Sequence, residues 1–230
     1  MKRTPFRLSL LLVGVAFSCA QPEKPLKVSP VDLSAREDNL QLQFSRHAIS
    51  SDDPALEKQC LHFSEHVSNY ISRLRDSLVG ELPPLDSALL ADTSILRPTY
   101  EFHVTDTVFR ATDRYISLRV TVYSYSGGAH GMTRFYAFNY DMREQKFIDN
   151  ALLLDYTRKA EVEKLLKAHL DNKHGCFTQS PTLTTSTVIN FAADSLIFTY
   201  PPYDLGPYVC GSAEIVVPLK ELGKSVKLPL

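Results

Sequence analysis

Apolar and polar residues alternate from Tyr115 to Tyr123. Ile116, Leu118, Val120 and Val122 fall on one side of the backbone, and Tyr115, Ser117, Arg119, Thr121 and Tyr123 on the other. A period of two is that of a pleated strand. A second alternation follows, with Phe135 and Ala137 on one face and Tyr136, Phe138 and Tyr140 on the other, running to Asp141. Between them lies Ser126-Gly127-Gly128-Ala129-His130-Gly131. Glycines so closely spaced allow positive φ and close backbone approach, so the segment reads as a hairpin connection. It presents a single ionisable side chain, His130, between two aromatic-rich strands.

The same reading extends along the chain. Leu40, Leu42, Phe44 and Ala48 predict a first strand over about 39–49. Ser50-Ser51-Asp52-Asp53-Pro54 is a helix entry, with a capping side chain and a proline in the first turn. Leu56, Cys60, Phe63, Val67, Tyr70/Ile71, Leu74 and Leu78 then recur at steps of three and four, one apolar helical stripe that Gly80 and Pro83-Pro84 end. Residues 81–98 read as a loop with a short turn near 87–90. Tyr100, Phe102 and Val104 open a strand expected to pair with 115–126. Asp149 or Asn150 caps a second helix reaching about Lys173, with Val162, Leu165, Leu166 and Leu170 on its apolar face. Strands follow at 187–191, 195–200 and 213–217, with the loop Tyr203–Gly211 before the last. The order β-α-β-β-β-α-β-β-β predicts an α+β fold of antiparallel sheets packed against two helices, in halves of about 39–126 and 127–230.

The N-terminus departs from this pattern. Lys2, Arg3 and Arg7 precede a short apolar run, Leu8 to Phe17, too brief to span a bilayer as a permanent helix. Ala16-Phe17-Ser18-Cys19 resembles a bacterial lipobox, which predicts cleavage after residue 18 and a lipid on Cys19. A secretory signal cut elsewhere is the alternative. Residues 19–38, with their prolines and mixed charges, are expected to tether the domain to a membrane. Losing Lys2, Arg3 and Arg7 takes the net charge from −1 to about −4. Neither value recruits nucleic acid. The expected setting is the bacterial cell envelope, on the outer membrane and facing away from the cytoplasm.

An exported chain meets an oxidising compartment. Of Cys60, Cys176 and Cys210, the expected disulfide joins Cys176 to Cys210, both near segment ends in the same half. Cys60 lies on the apolar helix face and reads as a small hydrophobe. His62-Phe63-Ser64-Glu65-His66 fits the H-x-x-E-H zinc pattern. Yet His62 lies almost opposite Cys60 on the helix, which makes this a solvated face. His169, His174, Cys176 and Cys210 match no common zinc spacing. No metal and no cofactor is expected.

Two loops remain as candidates for binding. The first is Gly127, Gly128 and His130. The second is Tyr203-Asp204-Leu205-Gly206-Pro207-Tyr208, whose tyrosines and carboxylate suit sugar stacking or a protein partner. Acid/base work by His130 would need Asp141 or Asp204 within hydrogen-bond reach. The plainer readings are a histidine that ties down a glycine loop and tyrosines that pin a long loop to the core.

These residues carry a resemblance. Ser126-Gly127-Gly128-Ala129-His130, then Phe138-Asn139-Tyr140-Asp141, then Phe198 through Tyr203, Tyr208, Gly211 and Ile215 to Pro218, are similar to the extracytoplasmic domain of RsiV-type anti-sigma factors. The same domain precedes the catalytic part of PdaC-type peptidoglycan deacetylases and occurs in many bacterial lipoproteins. The likeness covers roughly 40–228 and is concentrated in 115–218. It implies a binding module more than an enzyme, with lysozyme the ligand in the RsiV type. Sigma-factor control is not implied, because no cytoplasmic anti-sigma segment or transmembrane helix is read here. Gly131 stands where the family often has proline, so a loop of different rigidity is expected. The expected role is therefore an envelope module that binds a lysozyme-like protein or peptidoglycan glycan. The alternative is a small cell-wall hydrolase using His130 with Asp141 or Asp204.

Overall fold

The computed structural model describes residues 22–37, 39–82, 99–228 and 230. The expected signal segment, the lipidated Cys19 and the turn near 87–90 lie outside them. A six-stranded sheet takes the order β1 (Lys27–Glu37), β2 (Leu40–Ser50), β3 (Tyr100–Ala111), β4 (Tyr115–Tyr125), β5 (Met132–Asp141), β6 (Lys146–Phe147). A three-stranded antiparallel sheet follows, β7 (Val188–Phe191), β8 (Ser195–Tyr200), β9 (Ala213–Pro218). The fold is α+β, as the periodicities predict, with differences that have physical causes.

The helix α1 (Pro54–Glu81) forms where the apolar stripe predicts it. Asp53 caps it, its carboxylate accepting from the N–H groups of Ala55 at 2.8 Å and Leu56 at 3.4 Å. Its stripe buries Cys60, Phe63, Val67 and Ile71 against Leu42, Phe102, Val104, Leu118 and Val120 of the sheet. Each large side chain so buried contributes about 1.5–3 kcal/mol. Burial also pushes the Cys60 thiol up to about 11, with Glu57 adding to it, as suits an inert packing residue.

Because α1 carries the chain back across the sheet, β2 and β3 run parallel, from Leu40↔Tyr100 to Ser45↔Thr105. The first sheet is therefore mixed, not antiparallel throughout. The expected tether also changes. Residues 27–37 form β1, an exposed edge strand paired with β2 along its whole length, from Lys27↔Ser50 to Glu37↔Leu40. Pro30 is compatible with this because an edge strand leaves one side of its ladder unused. The six-stranded sheet continues to Phe147, so halves divided at 126/127 would cut the β4–β5 hairpin and do not correspond to the two sheets.

The second helix is shorter than its pattern suggests. Asp149 caps α2 (Asn150–Leu153), but Asp155 then accepts from the N–H of Thr157 at 3.0 Å and starts a new turn at Tyr156–Arg158. Only then does α3 (Lys159–His169) begin, with Val162 and Leu166 buried beneath the second sheet. A one-turn helix, α4 (Leu219–Leu222), follows β9, and His169 pairs with its Glu221 at 2.8 Å.

The side of β4 that reads as polar is not solvated. Tyr115 enters the second core, edge-on to Phe191 at 5.6 Å. Ser117, Asn139 and Asn190 are all buried. The Ser117 hydroxyl donates to Asn139 Oδ1 at 2.7 Å and accepts from Phe191 N–H at 3.0 Å and Asn190 Nδ2 at 3.1 Å. Asn139 Nδ2 donates to the Ile189 carbonyl at 2.8 Å. Beside this network, Arg119 lies over the rings of Phe109 and Phe135 and reaches Thr199 Oγ1 at 2.7 Å and Glu214 at 2.6 Å. The two sheets are thus joined by buried polar groups centred on the Ser117 hydroxyl, although Asn190 Oδ1 and Arg119 Nε find no partner among the described residues.

Ser117→Ala strips three partners from buried groups and should lower stability by about 2–4 kcal/mol. In urea unfolding the midpoint should fall while the slope stays constant. An unchanged midpoint would remove the network from the account.

Candidate functional site

The hairpin loop and the Tyr203–Tyr208 loop, distant in sequence, meet in space. Gly127 and Gly128 take φ of 99° and 96°, which residues with a Cβ rarely adopt. The tip is held where Tyr125 donates its hydroxyl to the Gly128 carbonyl at 3.0 Å. Gly131 is required for space instead: a Cβ there would run into the Tyr123 ring. Proline, which also carries a Cβ, would collide in the same way.

His130 makes contacts on three sides. Its ring stacks on Tyr208 with centroids 3.9 Å apart and planes 18° apart. Nδ1 faces the Gly131 carbonyl at 3.0 Å, and a carbonyl only accepts, so Nδ1 carries the proton. Nε2 then accepts from the Tyr203 hydroxyl at 3.1 Å. Tyr208 donates its own hydroxyl to the Gly131 carbonyl at 3.0 Å. Both ring nitrogens are therefore engaged without any carboxylate.

The second loop is rigidly built. Cys176 and Cys210 form a disulfide. Thr178 and Gln179 donate backbone N–H groups to the Leu205 carbonyl at 2.8 and 2.9 Å, and Leu205 itself is buried. Tyr203 has φ of 76°, an uncommon and costly conformation for a bulky residue, and the residue is 54% exposed. Strain kept at an exposed aromatic points to use of that ring.

Beside these loops runs a cleft of about 650 Å³. One wall is the outer edge of β5, with Arg134, Phe135 and Tyr136. Facing it are Thr182, Thr184, Ser186 and Thr187, and Tyr203 and Asp204 close one end. The hydroxyl wall is fixed from behind. Tyr156 and Tyr200 donate to the carbonyls of Thr184 at 2.9 Å and Thr182 at 3.0 Å, Asn150 to that of Thr187 at 2.7 Å, and Glu163 accepts from Leu183 N–H at 2.8 Å. Burial raises the Tyr200 hydroxyl pKa, with Glu163 and Asp204 adding to it, so it stays a donor. Loss of surrounding water likewise raises the Asp204 carboxyl above the usual aspartate value. Arg134 makes no ion pair with the described residues.

The structure brings together Gly127, Gly128, His130, Tyr203, Asp204 and Tyr208, and excludes one expected partner. Asp141 ends β5, nine residues beyond Met132, or about 30 Å along a strand. Its carboxylate accepts from the N–H groups of Arg143 and Glu144, at 2.9 Å each, and shapes a turn. Asp204 follows Tyr203 in the loop and lines the cleft, but makes no hydrogen bond to the histidine; the partner of His130 Nε2 is a phenol. The hydrolase alternative through His130 and Asp141 therefore has no geometric basis. His62 and His66 stay on the exposed side of α1, where His66 lies against Phe147 at 4.1 Å, and no metal-holding group of three occurs among the described residues. Sequence reasoning did not find Arg134, Phe135, Tyr136 or the hydroxyl wall. The run Thr182-Leu183-Thr184-Thr185-Ser186-Thr187 was the available signal, a hydroxyl-rich stretch around one buried leucine.

Comparison with known proteins agrees with this architecture. Residues 38–133 match the family model described as "Deacetylase PdaC", and 138–220 match that of a "Protein of unknown function (DUF3298)". The two matches lie in tandem along the chain, a pair consistent with an envelope protein. A DUF3298-family crystal structure from Bacteroides fragilis aligns with TM-score 0.64 at 16% identity, covering 89% of this chain and 95% of that one. Another, from Pseudomonas aeruginosa, aligns with TM-score 0.59 at 18% identity over the same shares. These neighbours establish the fold. No curated protein matches the chain.

Two stability tests follow. Gly131→Ala should displace Tyr123 and cost about 1–3 kcal/mol, the range for overpacking. Replacing Cys176 and Cys210 together by alanine should cost about 3–4 kcal/mol for a loop of this length. Thermal unfolding with and without reductant checks the second, since reductant should lower the wild-type midpoint and leave the variant's unchanged.

Proposed function

We propose that this chain is a cell-envelope lipoprotein, anchored through Cys19, that works as a binding module for cell-wall glycan. The observation that carries the reading is the cleft closed by Tyr203. It combines an exposed ring held in a strained backbone, a prebuilt row of hydroxyls, and one side chain of each charge in Arg134 and Asp204. A sugar presents an apolar face that stacks on an aromatic ring and hydroxyls that exchange hydrogen bonds with side-chain oxygens. Such a site needs preorganised polar groups more than catalytic ones.

The PdaC match supports a cell-wall setting, because the family model's description concerns a deacetylase and the resemblance places that family on peptidoglycan. The likeness to RsiV-type receptors makes lysozyme the competing ligand. The same loop could meet a protein, since Val209 beside Tyr208 is 87% exposed.

Calorimetric titration separates the two. Soluble peptidoglycan glycan strands should bind saturably, and Tyr203→Ala should weaken them by tenfold or more, while lysozyme gives no specific heat. Because the Asp204 carboxyl protonates at higher pH than an ordinary aspartate, affinity should already fall as the pH drops towards the aspartate range. Asp204→Asn should flatten that dependence. Saturable heat from lysozyme alone would overturn the glycan reading in favour of the receptor one.

A further inference from the structure

The cleft has a wall that a bare sugar would not use. Past β6, the Ile148 N–H donates to the Asn139 carbonyl at 2.8 Å, so Asn139 turns its backbone polar groups away from β4. In an antiparallel strand the N–H and C=O of one residue point to the same side, and the side alternates along the chain. Thr133, Phe135 and Ala137 therefore direct theirs outward as well. The strand β6 covers only Tyr140 and Asp141, and no described residue pairs with the outward groups of those three. Phe135 and Ala137 flank a second recess of about 290 Å³. That recess shares Phe135, Tyr136 and Ser186 with the cleft, so one trough runs along the open edge.

An unpaired strand edge inside a trough has one natural complement, another extended backbone. Unprotected edges are otherwise blunted by charge, proline or a covering segment. The opposite wall here is a row of hydroxyls set back by a cleft's width. An extended residue fills about 3.4 by 4.8 by 10 Å, or roughly 160 Å³, so the 650 Å³ cleft takes about four such units. This is room for a sugar against Tyr203 and a short peptide beside Phe135.

We infer that the ligand is a glycan bearing a short extended peptide, with the peptide backbone adding to the open edge of β5 while the sugar stacks at Tyr203. The inference rests on the glycan reading and narrows it. Phe135 and Ala137 each offer one donor and one acceptor, spaced two residues apart, and Thr184 and Ser186, whose hydroxyls bond each other at 3.0 Å, line the opposite wall. Arg134, whose side chain lines the cleft, is placed for a carboxylate on the peptide.

The test titrates the protein with peptidoglycan disaccharide-tetrapeptide, and with the same disaccharide after its peptide is removed. The peptide-bearing form should bind at least tenfold more tightly. Ala137→Pro deletes one outward N–H without touching the β4 ladder, and should abolish the gain while leaving binding of the bare disaccharide as it was. A disaccharide-peptide with N-methylated peptide bonds probes the wild type itself, so the test does not depend on the proline variant folding. It should bind like the bare sugar. Equal affinity for both sugar forms would overturn the peptide inference and leave the glycan reading intact. Heat from neither would overturn both.

Discussion

The hydrogen bonds centred on Ser117 set the geometry on which the rest depends. Two sheets packed through apolar side chains alone can slide, because dispersion and burial have no direction. A buried hydroxyl that serves Asn139, Asn190 and the Phe191 N–H at once permits only one arrangement. Shifting β7 by one residue against β4 and β5 would leave those groups without partners in a medium that cannot replace water. The network thus fixes how far the three-stranded sheet stands from the open edge of β5. That distance is the width of the cleft. The Arg119 bridge to Thr199 and Glu214 fixes the same sheets at a second point.

From that frame the site follows in two steps. The β4–β5 hairpin delivers His130 at one end of the first sheet, and the disulfide-held loop after β8 delivers Tyr203 and Tyr208 to it. The histidine has no carboxylate and no free ring nitrogen, so its work is to hold two tyrosines in place. The plainer of its two sequence readings, a residue that ties down a glycine loop, describes the geometry better than an acid or base does. Its hydrogen bond to Tyr203 holds in place a ring whose backbone sits at positive φ.

Much of this was legible in the residues. The stripe from Leu56 to Leu78 gave α1 and its buried face, and the period-two alternation gave β4 and β5. The glycines before His130 gave the hairpin, and the two loops expected to form a site do meet. What stayed hidden was long-range. Period two says that Ser117 and Asn139 share a face of their strands, but not that a second sheet covers that face. The parallel pairing of β2 and β3 was implicit in a long helix between two strands, yet alternation carries no strand direction. Pro30 and the charges around it read as a tether because an edge strand needs no apolar face. Asp141 looked available as a partner for His130 only because sequence does not measure the length of β5 between them. The cleft wall at Thr182–Thr187 is built by Tyr156, Tyr200, Asn150 and Glu163, which come from four separate places in the chain.

The central claim is that ligand enters between the open edge of β5 and the Tyr203 loop. Amide chemical-shift mapping of isotope-labelled protein, titrated with disaccharide-tetrapeptide, tests it most directly. The account predicts a continuous set of perturbed amides through Thr133, Phe135, Ala137, Ser186, Tyr203 and Asp204, with those of α1 unmoved. Perturbations confined to the exposed β1 edge or to the outer face of α1 would contradict it.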